Sequence, residues 1–379
     1  MRITDASLHP LRLEMVQPLK TASGTYAARE GFVVRLTDEE GRVGQGEAMP
    51  LQEFGTESPS DCERTLQTYL SILKDHHNPL PPGEGRGEGA TSPGLNPRMP
   101  PLPLGEGWGE GLAALPIQYP AARHALEQAL LDLVAQNQGL PLCRLLSREA
   151  REEVQVNALL GAQAPQSLAE EARRAVAEGY KTLKIKVAGK PIKEDAARLR
   201  AVREAIGPDI RLRVDANGGW KESEARQALE ELSAYHLELC EQPVAAEELE
   251  SLLRLSERSP CPLGADESLT RPDLLQTLLS SAQSVAILVL KPMVLGGLLP
   301  TLRVAREAAK RGMDAYVTSS LDGVIARAGA AHVAAALPSG RYASGLGVGH
   351  LFKDEPGNHP FRPVRGRITL PREPGQGVN

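Results

Sequence analysis

The chain has 379 residues, 41% hydrophobic and 24% charged, with a formal net charge of -5 and no long block of one sign. Such a chain has room for a full barrel plus a smaller domain and the composition of an ordinary globular protein; nucleic acid is not an expected partner. Its apolar stretches stop short of the roughly 18 residues that a spanning helix needs, Met1 to Asp5 carry no leader-like pattern, and Cys62, Cys143, Cys240 and Cys261 lack CxxC or Cys/His spacing, so a cytoplasmic protein without membrane contact, zinc or disulfides is expected.

Residues 2–47 alternate and turn like a strand meander. Residues 31–36 are a strand candidate, Asp38-Glu39-Glu40-Gly41 a turn and residues 43–48 a returning strand, which makes a small antiparallel sheet. Helical spacing follows in residues 60–73 at Cys62, Leu66, Tyr69, Leu70 and Leu73, with Ser58, Pro59 and Ser60 as start signals.

Between residues 76 and 112 the composition turns to Pro, Gly and Glu. The segment from Pro79 to Gly89 recurs, with few changes, from Pro101 to Gly111. Two copies of a stretch without aliphatic periodicity cannot form a packed core, so this reads as an inert surface insertion, cheap because closing a longer loop costs only logarithmically more. The sharper alternative is a polyproline ligand, since Pro79 to Pro82 and Pro100 to Pro103 fit PxxP.

Helical periodicity resumes over residues 121–136 and stops at Gly139-Leu140-Pro141, closing a first α+β domain over residues 1–148. Seven strand-like runs then alternate with helices, at 155–160, 182–187, 211–215, 237–241, 263–266, 287–291 and 314–318. The intervening helical stretches are 165–178, 190–206, 221–234, 246–256, 271–281 and 297–311, and an eighth, partly irregular unit lies near 341–347. This predicts a TIM-type α/β barrel over residues 149–345, with residues 346–379 packing back on the first domain. A doubly wound open sheet is the alternative, but no GxGxxG follows the first strand, and open sheets collect ligands at one switch point. His124, His236 and His332 are placed in helical segments as structural residues, and Trp220 is expected to pack at the start of a barrel helix.

Five of those runs end in a charge: Lys186, Asp215, Glu241, Asp266 and Lys291, about 25 to 29 residues apart. Each interval holds one strand, one helix and two loops, so the five groups should meet at the C-terminal mouth of the barrel. Asp215, Glu241 and Asp266 form an oxygen-only donor set suited to Mg²⁺ or Mn²⁺. Lys184 and Lys186 alternate on one strand and should both face the interior, where burial beside a cation would lower an ammonium's pKa; Lys186 is the expected base and Lys184 its tuner. Lys291 approaches from the opposite side. A cation on a substrate carboxylate, with an amine on either face, suits removal of the proton alpha to that carboxylate and stabilisation of the enediolate that forms.

At Lys184-Ile185-Lys186, Val214-Asp215-Ala216-Asn217, Glu241-Gln242-Pro243, Ala265-Asp266-Glu267-Ser268 and Leu290-Lys291-Pro292 the chain resembles the muconate-lactonizing subgroup of the enolase superfamily, outside the insertion along most of its length. Gly46-Glu47-Ala48-Met49-Pro50, Glu53-Phe54-Gly55-Thr56-Glu57, the run from Lys291 to Gly297 and Thr318-Ser319-Ser320-Leu321-Asp322 look most like the o-succinylbenzoate synthases of menaquinone biosynthesis. The resemblance implies a capping N-terminal domain and a small-molecule carboxylate substrate. It also implies Mg²⁺ on Asp215, Glu241 and Asp266, Lys186 as base and then proton donor to the leaving hydroxyl, and Lys291 as charge stabiliser. Asn217 and Glu267 would support the metal shell, and Ser23, Gly24, Phe54, Ser319 and Ser320 would contact substrate. Racemases of N-acylamino acids share the five charges, as do dipeptide epimerases, which often hold the substrate amine with an acidic motif after the seventh or eighth strand; Asp322 is the acid available here. A non-catalytic barrel working through its PxxP insertion is the competing class, disfavoured because every charged position is kept. A homo-oligomer is the default assembly.

Overall fold

The computed structural model describes residues 1–21, 24–75, 118–281, 285–353 and 361–378. The duplicated insertion at 76–112 and its PxxP elements lie outside the described residues. Strands β1 (Ile3–Thr21), β2 (Gly24–Asp38) and β3 (Val43–Ala48) form an antiparallel sheet in that order. β1 spans most of the first part of the alternating stretch, for which the sequence offered no strand bounds. It is an edge strand, where Pro10 is tolerated, and its register slips between Glu14 and Leu19, around Pro18.

Helices α1 (Pro59–Asp75) and α2 (Pro120–Asn137) cover the sheet through Leu66, Leu70, Leu126 and Leu133 against Val34 and Leu36. α2 lies directly on β3. A Cβ at Gly44 or Gly46 would come 2.2 Å from Ala129 O or 1.8 Å from Ala125 O. The Glu57 carboxylate accepts the N–H groups of Ala121 and Ala122 at 3.0 and 2.7 Å, satisfying the first turn of α2. Short helix α3 (Leu142–Leu146) and strand β4 (Glu153–Gln155) lead into the second half of the chain.

There β5 (Ala158–Leu160), β6 (Thr182–Lys186), β7 (Arg211–Asp215), β8 (Leu237–Glu241), β9 (Leu263–Ala265), β10 (Ile287–Leu290) and β11 (Asp314–Val317) form one parallel sheet in chain order. Around it lie α4 (Pro165–Ala177), α5 (Ile192–Ile206), α6 (Glu222–Ser233), α7 (Leu249–Ser256), α8 (Pro272–Ser280), α9 (Pro292–Leu295), α10 (Leu298–Ala309) and α11 (Val324–Ala336). Ser344 and Gly345 close the ring: Ser344 bridges to Val156 before β5 and Gly345 to Thr318 after β11. The fold is therefore a TIM-type barrel with seven regular strands and an irregular eighth, carrying a strand-rich N-terminal domain. Closure rules out the open doubly wound sheet.

Beyond the barrel, β12 (Arg367–Thr369) pairs antiparallel with β4. The following tail reaches the N-terminal sheet, where Gln376 donates to Asp132 Oδ1 through its backbone N–H at 2.8 Å and to Gln45 O through its amide at 2.8 Å. His124 and His332 are buried in helices as expected. His236 is not helical; it follows α6 in the left-handed region, φ 52°. Trp220 is buried in the barrel core. Among the described residues no helix is long and apolar enough to cross a membrane.

Candidate active site

Strand alternation places every second side chain inside the barrel, and register then aligns the strand ends. Lys186 pairs with Asp215 and Asp215 with Glu241 across neighbouring strands, while Asp266 lies just beyond β9 and Lys291 just beyond β10. All five line one cavity of about 350 Å³, together with Lys184, Asn217 and Glu267. The sequence thus brings together residues from five consecutive strands.

Lys184 is ion-paired with Glu241 Oε1 at 2.7 Å and Asp215 Oδ2 at 2.8 Å, and Lys291 lies 2.6 Å from Asp266 Oδ1. Burial works against both ammoniums, yet the facing carboxylates outweigh it and hold both above the usual lysine range, Lys184 well above. The two carboxylates lie within 2.8 Å of the Lys184 ammonium, which is why their charge outweighs burial here. Lys186 is also not enclosed. It is exposed at the mouth, with its backbone carbonyl held by Arg198 at 2.9 Å.

Asp215, Glu241 and Asp266 are each at most 4% exposed. Burial, with Asp215 next in effect, pushes Glu241 up to about 7; burial also raises Asp266 despite Lys291, and raises Glu267. Burial opposes the ionisation of Asp215 as well, but Lys184 and Lys186 together hold it low. Two enclosed ammoniums therefore leave four carboxylates short of positive charge, and Glu267 Oε2 is buried without a hydrogen bond. An all-oxygen, electron-rich set of this kind fits a hard divalent cation. Among the described residues no three carboxylate, His or Cys side chains are gathered as a ready-made cage, because Lys184 stands between Asp215 and Glu241.

Asn217 links two of these acids: its N–H donates to Asp215 Oδ1 and its amide to Glu267 Oε1, both at 3.0 Å. On the next loop Gln242 fixes the backbone around Asp266, accepting from the N–H groups of Asp266 and Ser268 through Oε1, a role absent from the sequence reading although the residue stands next to Glu241. Phe54 reaches in from the N-terminal domain, its ring centroid 5.2 Å from Lys291 Nζ. Ser319 lines the cavity; Ser320 does not, being buried behind the wall, where its N–H donates to Asp322 Oδ2. Ser23 lies outside the described residues, and Gly24 begins β2 opposite Thr21.

The family model described as enolase C-terminal domain-like matches residues 167–379. The chain belongs to the enolase superfamily. Among its relatives are an N-succinyl-L-Arg/Lys racemase of Bacillus cereus, 28% identical over 88% of this chain and 84% of that one, and an L-Ala-D/L-Glu epimerase of Clostridium acetobutylicum, 36% identical over 89% and 87%. An o-succinylbenzoate synthase of Thermobifida fusca is 37% identical over 59% of this chain and 68% of that one. A dipeptide epimerase of Enterococcus faecalis complexed with Mg and the dipeptide L-Leu-L-Tyr superimposes with a TM-score of 0.83 at 26% identity, covering both chains fully. These enolase-superfamily relatives carry several different activities on one barrel, so the reaction has to be argued from the cavity.

Proposed function

We propose that this chain is an enzyme that removes a proton alpha to a substrate carboxylate, and that its substrate is 2-succinyl-6-hydroxy-2,4-cyclohexadiene-1-carboxylate, dehydrated to 2-succinylbenzoate. The observation that carries the first part is the single cavity in which Asp215, Glu241 and Asp266 are flanked by Lys186 on β6 and Lys291 beyond β10. Asp215, Glu241 and Asp266 would hold Mg²⁺ or Mn²⁺, which when bound supplies positive charge to the substrate carboxylate. Lys186 takes the alpha proton and returns a proton to the departing hydroxyl on the same face, so that the C–O bond breaks and water leaves. Lys291, kept cationic by Asp266 and Glu267, faces the developing negative charge.

The walls support the choice of substrate. Asp322 does not line the cavity; Leu321 does, and the irregular eighth unit contributes Gly345, Gly347, Val348, His350 and Leu351. Among the described residues no acidic side chain lines the cavity from the segments after the seventh and eighth strands, where one would hold a substrate amine. That disfavours a dipeptide and suits an uncharged ring or an acylated nitrogen. N-succinylamino acid racemisation is the second reading, favoured by the presence of a lysine on each side of the carboxylates. The four thiols are free and buried, in keeping with a reducing cytoplasm.

The test is dehydration of that cyclohexadiene acid with added Mg²⁺, run beside racemisation of N-succinyl amino acids. Fast dehydration that Lys186→Ala abolishes is expected. Absent dehydration, with racemisation lost in both Lys186→Ala and Lys291→Ala, would transfer the chain to the second reading.

A further inference from the structure

Directly beneath the carboxylates the barrel interior holds a group of residues that the reaction above does not use. Arg213 on β7 is fully buried, its guanidinium 4.7 Å from the ring centroid of Tyr316 on β11 and 5.5 Å from that of Tyr342. Glu238 pairs with its Nε and Ala343 O accepts from Nη1 at 2.7 Å, so the cation is anchored on the side away from the mouth. Leu239, Ile287 and Val289 complete the apolar layer around both tyrosines. Tyr316, clamped this way, donates its hydroxyl hydrogen bond to Glu241 Oε2. The opposite oxygen, Oε1, faces Lys184 and, through it, Asp215.

We propose that Tyr316 is a positioning residue that makes Glu241 a one-oxygen ligand and thereby selects Mg²⁺ over Ca²⁺; this rests on the reading that Asp215, Glu241 and Asp266 hold a divalent cation. A carboxylate oxygen bound to a buried phenol is not free to join its partner in a bidentate grip. Ca²⁺ accepts six to eight oxygens and favours such grips, whereas Mg²⁺ takes a compact octahedron of single oxygens. Clamping Tyr316 between Arg213 and the apolar layer keeps its hydroxyl from turning aside and thus holds Oε2 out of reach. The hydroxyl also spares Glu241 the penalty of an unpaired buried oxygen.

The experiment is calorimetric titration of the full chain with MgCl₂ and, separately, CaCl₂, comparing wild type with Tyr316→Phe, which keeps the ring and its contact with Arg213. Val289→Ala is the control, since it loosens the same layer without touching Glu241. The expected result is a Mg²⁺ affinity about tenfold weaker in Tyr316→Phe, the magnitude usual for losing a ligand's supporting hydrogen bond, with Ca²⁺ affinity unchanged or stronger. In Val289→Ala the preference between the two metals should match wild type. A preference unchanged in Tyr316→Phe, or shifted equally in Val289→Ala, would overturn the inference and leave the metal reading standing. Wild-type protein that binds neither metal would overturn both.

Discussion

The carboxylate of Glu47, at the end of the N-terminal sheet, accepts the backbone N–H of Gly323 at 2.6 Å and that of Ala326 at 3.2 Å. One domain thus caps the last barrel helix, α11, from outside. Burial, and then the neighbouring Asp322, push this carboxyl up to about 7. A carboxyl raised on folding binds its proton more tightly in the native state, so its contribution is complete below its ordinary pKa near 4.5 and is lost as pH rises through 7. His124 and His332, lowered by burial to about 4, act in the opposite sense and lose their contribution only as pH falls from about 6.5 through 4. Between pH 6.5 and 8 the two histidines contribute equally to wild type and to Glu47→Gln, so they cancel in the comparison. Over that interval wild type should lose on the order of 1 kcal/mol more unfolding free energy than Glu47→Gln, whose amide oxygen still accepts from Gly323. Urea unfolding at both pH values measures it, and parallel losses in the two proteins would contradict the shift.

A second cap of this kind makes a steric prediction. Glu127 on α2 accepts from Leu299 N–H at 2.7 Å at the start of α10, and Gly297, φ 141°, lies so close that an added Cβ would stand 2.5 Å from Glu127 Oε2. Gly297→Ala should cost about 2–4 kcal/mol, from backbone strain plus displacement of the buried acid. Gly41→Ala, also at positive φ but with no atom within 4 Å, should cost about 1 kcal/mol. Equal midpoints for the two variants in thermal unfolding would show that Glu127 gives way freely.

The strand ends carrying the site were legible because each interior-facing apolar run breaks to a charge where its strand enters the mouth, and only a barrel makes such breaks converge. Tyr316 was hidden for the same reason in reverse. It sits in an apolar run, Asp314 to Val317, and its contact with Glu241 depends on closure of the ring. Ser319 and Ser320 both came from the resemblance, and adjacent residues seldom share a face; past Ser320 the chain turns at Leu321, φ 63°, and Leu321 enters the cavity. Helix α11 was anticipated only through His332 and without bounds, because it is alanine-rich and buried on nearly every side, which leaves no amphipathic period to read.

Phe54 offers a test of how the N-terminal domain contributes to substrate binding. Its ring lies over Lys291 and lines the cavity from the loop after β3. Phe54→Leu keeps apolar cover but removes the aromatic face, worth roughly 0.5–2 kcal/mol to a partly desolvated ammonium. If the ring only covers bound substrate, KM should rise several-fold with kcat nearly unchanged; a fall in kcat at constant KM would instead place the ring's effect on the reacting charge.

Lys184 gives the most direct view of the charge balance. Its ammonium separates Asp215 Oδ2 from Glu241 Oε1, so Lys184→Met leaves two buried acids facing each other. In the absence of divalent metal this should destabilise the protein by about 3–5 kcal/mol, as for a buried pair stripped of one partner. A cation entering between these acids has to share them with the wild-type ammonium and is repelled by it, whereas in the variant it meets only negative charge. The rise in Tm on saturating with Mg²⁺ should therefore be larger in Lys184→Met than in wild type, recovering part of the initial loss. Differential scanning fluorimetry with and without MgCl₂ reads both numbers. A metal-induced rise no greater than that of wild type would mean that Lys184 and the cation do not compete for the same carboxylates, and the assignment of Asp215 and Glu241 as paired ligands would fall.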